Sequence, residues 1–467
     1  MFIIIVVLAI EGICMNMRRT VREMLNKFTP AQIITGYYLL AVSASVILLS
    51  LPIAHKEGVH VSFMDTLFTA ISAVSVTGLT VINISDTYST IGIFILMFVL
   101  QFGGIGVMTL GTFFWMLLRK KIGLKERQLI MLDHNQSHLS GLVQLIREII
   151  KLILIIELVG AIVLTLQLHQ YFPTWKDAFV HGLFASISAT TNGGFDLSGN
   201  SLVPYKDDYF IQLVNIILIT LGAIGFPVLI ELKNYLFPKN PGKLFRFSLF
   251  TKLTSLTFGL LLLFGTVSII IIESNHYFIG MNWHQIFFNA FFHSASTRSG
   301  GLATMDLNDY TMGTLVIFCI LMFIGASPSS VGGGIRTTTF ALNLLFIYHY
   351  ANGNRHIKIF KREIHEEDII KSMVVTILAF CLCFIATVIL CITEDAPLIK
   401  ILFEVCSAFG TTGLSLGLTP ELSGVGKCVI MILMFIGRIG LTSFIYIIGG
   451  KEKKDNFHYP KERIIIG

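Results

Sequence analysis

An all-α polytopic membrane fold is predicted by three features of the sequence. The 467 residues are 54% hydrophobic and only 13% charged, too few charges to cover a water-facing surface of that size. A short glycine-ended motif recurs four times at nearly even spacing. Basic residues gather on alternate connections between the apolar spans. Together these predict four pseudo-equivalent span–half-helix–span units around one axis, with eight transmembrane helices.

The motif reads SAVSVTGLTV from Ser72, SATTNGGFDL from Ser188, ASTRSGGLAT from Ala295 and SAFGTTGLSL from Ser407. Aligned on Gly78, Gly194, Gly301 and Gly413, the copies lie 116, 107 and 112 residues apart, which marks an internal repeat. Ten residues before each glycine stands a phenylalanine: Phe68, Phe184, Phe291 and Phe403. A second glycine motif follows 24–28 residues later: GGIG from Gly103, GAIG from Gly222, GASP from Gly325 and GRIG from Gly437.

The elements follow in order. The chain opens with MFIIIVVLAIEGICM, too short an apolar run to span a bilayer and lacking the basic start of a signal peptide. Residues 1–30 are expected to form a cytoplasmic or interfacial N-terminus, with Met15 or Met17 as alternative starts. Repeat 1 is expected over 31–118, repeat 2 over 119–237, repeat 3 over 238–350 and repeat 4 over 351–450. A cytoplasmic tail follows over 451–467. Each repeat opens on a long apolar span (31–51, 145–168, 250–272, 371–392), near the length a hydrocarbon core requires. A helical stretch of about a dozen residues then ends just before the aligned glycine. Ser62, Thr174, Asn282 and Pro397 mark the starts of these half-helices, as residue types suited to N-cap or N1 positions. A second span closes each repeat (89–118, 209–237, 311–350, 425–450).

Charge sets the orientation. Of the 34 basic residues, 26 fall near the termini and between repeats, and only Lys56, Lys176, Lys206, Lys400 and Lys427 fall on the other side. This places both termini in the cytoplasm of a cell-membrane protein, so the half-helices enter from outside. The outer segments carry fourteen carboxylates, Asp65, Glu273, Glu394 and Glu404 among them, an excess that concentrates cations at the mouth. Because the basic clusters serve topology, the environment is the lipid bilayer and no nucleic-acid partner is expected. The seven cysteines lack CxxC spacing and are read as packing residues.

Irregular backbone at membrane depth is costly unless it lines water or meets a ligand. Four such loops at matching positions suit a ring of backbone carbonyls around a dehydrated alkali cation, at the centre of an ion pore. The segments expected to line it are Val76, Thr77 and Gly78; Asn192, Gly193 and Gly194; Ser299, Gly300 and Gly301; and Thr411, Thr412 and Gly413. The half-helices would aim their partially negative C-terminal ends at the cation. Repeat 3 carries a further break, GASPSSVGGGIRTTT from Gly325, which cannot hold a regular helix. Arg438 lies within the fourth repeat's second span, where a charge costs about 2.5–3.5 kcal/mol unless it meets water or a partner. It is read as repelling ions in the pore or holding the loop by its carbonyls, with pairing to Glu157 as the structural alternative. Arg298 is expected to brace the ring from behind, and Arg336 to close the inner end of the loop.

SVTGL with three degenerate copies, on four such units, resembles the Trk/Ktr/HKT superfamily of potassium transporters over residues 30–450. TPAQIITGYYLLAVSASVILLSLP leads straight into the first repeat, which resembles the transmembrane subunit of the Ktr branch; the Trk branch typically has two further spans ahead of it. The resemblance implies potassium as the ion, because Gly78 stands where sodium-preferring members carry serine. It implies a gate beneath the filter, at loop 325–336, formed by Gly325, Ala326, Ser327, Pro328, Ser329, Ser330, Val331, Gly332, Gly333 and Gly334, with Arg438. It also implies a homodimer with one pore per chain, and a cytoplasmic nucleotide-binding ring of the KtrA type touching the basic loops and tail. No cofactor is expected in this chain beyond potassium at the filter carbonyls, with sodium as a candidate coupling ion. An enzyme is disfavoured, since the sequence has no HExxH, no Cys/His set and no serine with a plausible base. A carrier of sodium or another small solute is the alternative reading.

Overall fold

A computed structural model describes residues 30–106, 109, 142–238, 245–354, 356–441, 443–445 and 462. The predicted N-terminal segment up to residue 29 lies outside them, as do the tail except for position 462 and the inner ends of the second spans of repeats 1 and 4.

The described residues are mostly helical, with one two-stranded pair, Lys358–Ile359 and Arg362–Glu363. Four long apolar helices open the repeats: α1 (Pro30–Leu49), α4 (Leu142–Leu168), α8 (Leu249–Glu273) and α12 (Glu366–Thr393). They fall close to the predicted spans, because unbroken apolar runs of that length have little alternative to helix in lipid. Their outward faces carry large exposed side chains such as Leu40, Leu158, Leu263 and Phe384, the surface expected of helices bathed in acyl chains.

Each is followed by a shorter helix: α2 (Phe63–Ser75), α5 (Trp175–Thr190), α9 (Trp283–Ser296) and α13 (Leu398–Gly410). Their N-caps are Ser62, Thr174, Asn282 and Pro397. The Ser62 and Thr174 hydroxyls accept from the amides of Asp65 and Asp177, each at 3.1 Å, satisfying donors a helix start leaves free. The aligned phenylalanines Phe68, Phe184 and Phe403 are fully buried. In repeat 3 that role passes to Phe292, while Phe291 stays partly exposed.

The repeats close into a circle. Each opening span packs on its own short helix: α1 on α2, α4 on α5, α8 on α9 and α12 on α13. The outer halves of the second spans are α3 (Thr90–Ile105), α6 (Tyr209–Ala223), α10 (Met312–Phe323) and α14 (Gly424–Ile439). Each packs on the short helix of the next repeat: α3 on α5, α6 on α9, α10 on α13, and α14 back on α2. Lys427 of α14 donates to Asp65 of α2 at 2.7 Å, tying the last repeat to the first. At the head of α14, the Ser423 hydroxyl and amide donate to Glu394. Burial alone would raise this carboxyl, but those bonds outweigh it and hold it below the ordinary carboxylate value.

One expectation is corrected. The second spans are not continuous helices, and the break is not confined to repeat 3. α3 and α14 end at Gly106 and Gly440, with φ of 92° and 88°. Between α6 and α7 (Phe226–Leu236) the chain turns by 107°, pivoting on Gly225 at φ 103°. In repeat 3, α10 is separated from α11 (Thr337–Ala351) by the whole loop. These φ values suit only glycine at low cost, so each second glycine motif ends one half of a span instead of lying within it.

The first glycine of that motif has a separate task. A Cβ on Gly103 would meet the Val74 carbonyl at 2.5 Å, and Cβ atoms on Gly222 and Gly437 would run into the carbonyls of Thr190 and Phe409. Val74, Thr190 and Phe409 are equivalent positions four residues before the aligned glycines. Close backbone approach of this kind holds helices together where hydrophobic drive is weak. Gly437→Val is therefore expected to lower the thermal unfolding temperature of the purified protein. Overpacking of this kind costs about 1–3 kcal/mol. Gly424→Ala, which meets nothing within 4 Å, should leave that temperature nearly unchanged.

Candidate functional site

The four predicted segments converge. A Cβ on Gly78 would lie 2.6 Å from the Gly193 carbonyl and 2.8 Å from Gly194 Cα. One on Gly194 would lie 3.1 Å from Gly301 Cα, and one on Gly301 3.3 Å from Gly413 Cα. One on Gly413 would return to Gly78 Cα at 3.1 Å. The glycines thus form a closed ring in sequence order. The carbonyl oxygens of Thr77, Gly193 and Thr412 sit against neighbouring glycines of that ring. All twelve predicted residues are buried except Gly413, which is partly exposed.

The backbone follows one pattern four times. The first residue of each segment has positive φ: Val76 at 56°, Asn192 at 53°, Ser299 at 76° and Thr411 at 47°. The third is the aligned glycine, again positive, at 90°, 67°, 70° and 94°. For β-branched Val76 and Thr411 the left-handed region costs on the order of 1–3 kcal/mol, so the surroundings must impose it. The hydrogen bonds show how. The amides of Thr77 and Thr412 donate to the carbonyls of Ser72 and Ser407, both at 2.8 Å, and that of Gly193 to Ser188 at 2.6 Å. The amides of Gly78 and Gly413 donate to the Ser72 and Ser407 hydroxyls at 3.2 and 3.1 Å. Most of the segments' amides are thus spent on the short helices, and the Thr411 carbonyl accepts from the Ser299 hydroxyl at 2.7 Å.

Those serines are site residues the sequence reading passed over. Ser72, Ser188 and Ser407 are the first letter of the motif itself; Ala295 holds the place in repeat 3, where the Ser296 carbonyl accepts from Gly300 at 2.7 Å. The short helices end at the ring, so their partially negative termini surround it.

Beneath the ring lies the loop from Gly325 to Arg336, buried apart from Pro328 and Arg336, which are partly exposed. It is held on three sides. The Ser327 amide donates to the Ala223 carbonyl at 3.0 Å, the Val331 amide to Gly222 at 3.2 Å, and the Phe226 amide to Ser329 at 2.8 Å. The Gly333 amide donates to Thr411 Oγ1 at 2.7 Å. Gly332 abuts the Ser299 hydroxymethyl group at 2.6 Å from where its Cβ would stand, so a larger residue has no room. Gly325 faces the Gly333 carbonyl, whereas its counterparts in the other repeats face a short helix. Through Pro328, Ser329 and Ser330 the loop also borders a cavity of about 450 Å³.

Arg438 is buried, at 7% exposed, and donates to the carbonyls of Val331 and Gly103. It therefore bridges the loop to the end of repeat 1 and also lines the cavity. Glu157, its proposed acidic partner, instead accepts from Gln101 Nε2 at 2.6 Å. Arg298 is fully buried behind the ring and donates to the Leu321 carbonyl. Arg336 donates to the Gly332 carbonyl.

Two carboxylates of the outer segments are buried. Glu404 is fully buried on α13, where its carboxylate accepts from the Ser415 and Thr419 hydroxyls and braces the loop that leaves the ring. Glu273 is likewise buried and accepts from Thr311 and Thr314. Hydroxyl-rich stretches nearby (SLGLT, TMGT) were the available signal. Among the described residues no cluster of His, Cys, Asp and Glu could hold a metal ion. Cys319, Cys383 and Cys406 are buried and unbridged.

Comparison with known proteins follows the same lines. The TrkH family, described as cation transport protein, matches residues 5–457. The chain is 59% identical over 451 residues to the Ktr system potassium uptake protein D of Bacillus subtilis (strain 168), covering 97% of this chain and 100% of that one. It is 31% identical to the potassium/sodium uptake protein NtpJ of Enterococcus hirae, covering 97% and 99%. The crystal structure of the potassium transporter TrkH from Vibrio parahaemolyticus shares the fold at a TM-score of 0.69 and 18% identity, over 90% of this chain and 85% of that one.

Proposed function

The chain belongs to the TrkH/Ktr family of cation transport proteins, and from that membership we propose that it carries potassium into the cell through the glycine ring. The observation that carries this reading is the closed ring itself, with most of its amides engaged by the short helices. Such a ring replaces the hydration shell of an alkali cation. The four short helices add a converging negative potential and no full negative charge to trap the ion. Loop 325–336 obstructs the path between the ring and the inner cavity, and Arg438 holds it there.

The basic connections support a topology with both termini in the cytoplasm. As the family resemblance implies, the chain is controlled by a cytoplasmic ring of the KtrA type, and two copies form a homodimer with separate pores. Sodium as a coupling or carried ion is the second reading, favoured by similarity to a protein named for both ions.

The direct test is flux through the purified chain in liposomes, with potassium and sodium gradients imposed separately. Current driven by potassium alone is expected; current only when sodium is present would favour the second reading, and none with either ion would overturn both. Arg438→Gln removes a positive charge and the bridge from the Val331 carbonyl of the loop to Gly103 of α3. It is expected to raise potassium flux several-fold with little change in the amount of protein in the membrane. A collapse of that amount with unchanged flux per molecule would assign the arginine to folding.

A further inference from the structure

Thr411 differs from Val76 and Asn192 in what its side chain touches. Val76 offers a methyl group to Gly103, and Asn192 packs on Gly222, each within its own repeat. The Thr411 hydroxyl instead accepts from the Gly333 amide of the loop at 2.7 Å. Its own main-chain carbonyl accepts from the Ser299 hydroxyl, also at 2.7 Å, and Ser299 touches the same hydroxyl at 3.3 Å. A continuous hydrogen-bonded chain thus runs from the loop, through Thr411, to a carbonyl of the ring and across to repeat 3. Thr411 and Ser299 are both fully buried.

We propose that the Thr411 side chain is a latch that couples the position of loop 325–336 to the geometry of the glycine ring. This rests on the reading of that loop as a gate. When the loop withdraws, the Gly333 amide leaves Thr411 and frees its hydroxyl to turn toward Ser299. Ser299 then loses its fixed orientation on the Thr411 carbonyl, so opening below changes how firmly the ring is held above. Thr411 acts here as a positioning residue: the hydroxyl touches the loop, and its effect on the ion passes through the carbonyl.

Thr411→Val is the informative change. It removes the hydroxyl while keeping shape and β-branching, and valine already occupies the equivalent left-handed position at Val76. Potassium flux through the full chain in liposomes is expected to rise about fivefold, the shift one buried hydrogen bond supports. Potassium-over-sodium preference should fall with it, and Thr411→Ser, which restores the hydroxyl, should bring both back toward the starting values.

The same substitution is then made in a chain lacking Pro328–Val331, where the loop no longer blocks the path. There Thr411→Val should add no further flux. An equal increment in both backgrounds would overturn the latch, because Thr411 would then be acting on the ring alone. If the shortened loop raises flux but Thr411→Val leaves the intact chain unchanged, the latch fails while the gate stands. If neither change alters flux, the gate reading fails and the latch with it.

Discussion

Gly78→Ser is expected to reduce potassium flux at least tenfold and to erase most of the preference for potassium over sodium. Two costs add at this position. The φ of 90° is a left-handed conformation that costs an L-residue about 1–2 kcal/mol. The new Cβ would also stand 2.6 Å from the Gly193 carbonyl, inside any real carbon–oxygen contact. That neighbour is backbone, so it yields only if the ring deforms. About 1.4 kcal/mol lost from ion binding is tenfold, and displacement of a ring carbonyl exceeds that easily. Gly58→Ser separates the two costs: φ there is 79°, but nothing lies within 4 Å. It should share the backbone strain and leave flux and selectivity intact. Equal losses from both substitutions would mean that strain, and not the ring, sets transport.

Removal of Pro328–Val331 is expected to act in the opposite direction, raising potassium flux at least tenfold. The deletion takes away the carbonyl of Ser329 that accepts from Phe226, the Val331 amide that donates to Gly222 and the Val331 carbonyl held by Arg438. Each neutral bond is worth about 0.5–1.5 kcal/mol net and more where an arginine donates, so the remaining loop loses three anchoring bonds and keeps those of Ser327 to Ala223 and Gly333 to Thr411. Flux per molecule in liposomes is the measurement. Unchanged flux from protein that reaches the membrane in normal amount would end the gate assignment.

Much of the frame was legible because membrane helices leave few choices. The opening spans follow from apolar length, and the short helices from Ser62, Thr174 and Asn282 standing before helical runs. The ring was legible through its glycines, since only they fit where four backbones meet. The breaks at Gly106, Gly225 and Gly440 were not. A lone glycine in an apolar run reads as a small contact residue, and whether it also carries a positive φ depends on neighbours remote in sequence. The burial of Glu404 was not legible for a related reason: a charge tally has no depth coordinate, and the hydroxyls of Ser415 and Thr419 that make its burial tolerable come after it. The Thr411–Gly333 contact spans 78 residues between two repeats and leaves no trace in either motif.

The contact of α14 with α2, fastened by Lys427 and Asp65 across 362 residues, fixes when the ring of glycines can close. During synthesis three quarters of the circle can be laid down without enclosing anything. The last transmembrane unit must leave the ribosome and dock on the first before four backbones face one centre. A nascent or truncated chain that lacks the last unit accordingly has no closed ring of glycines.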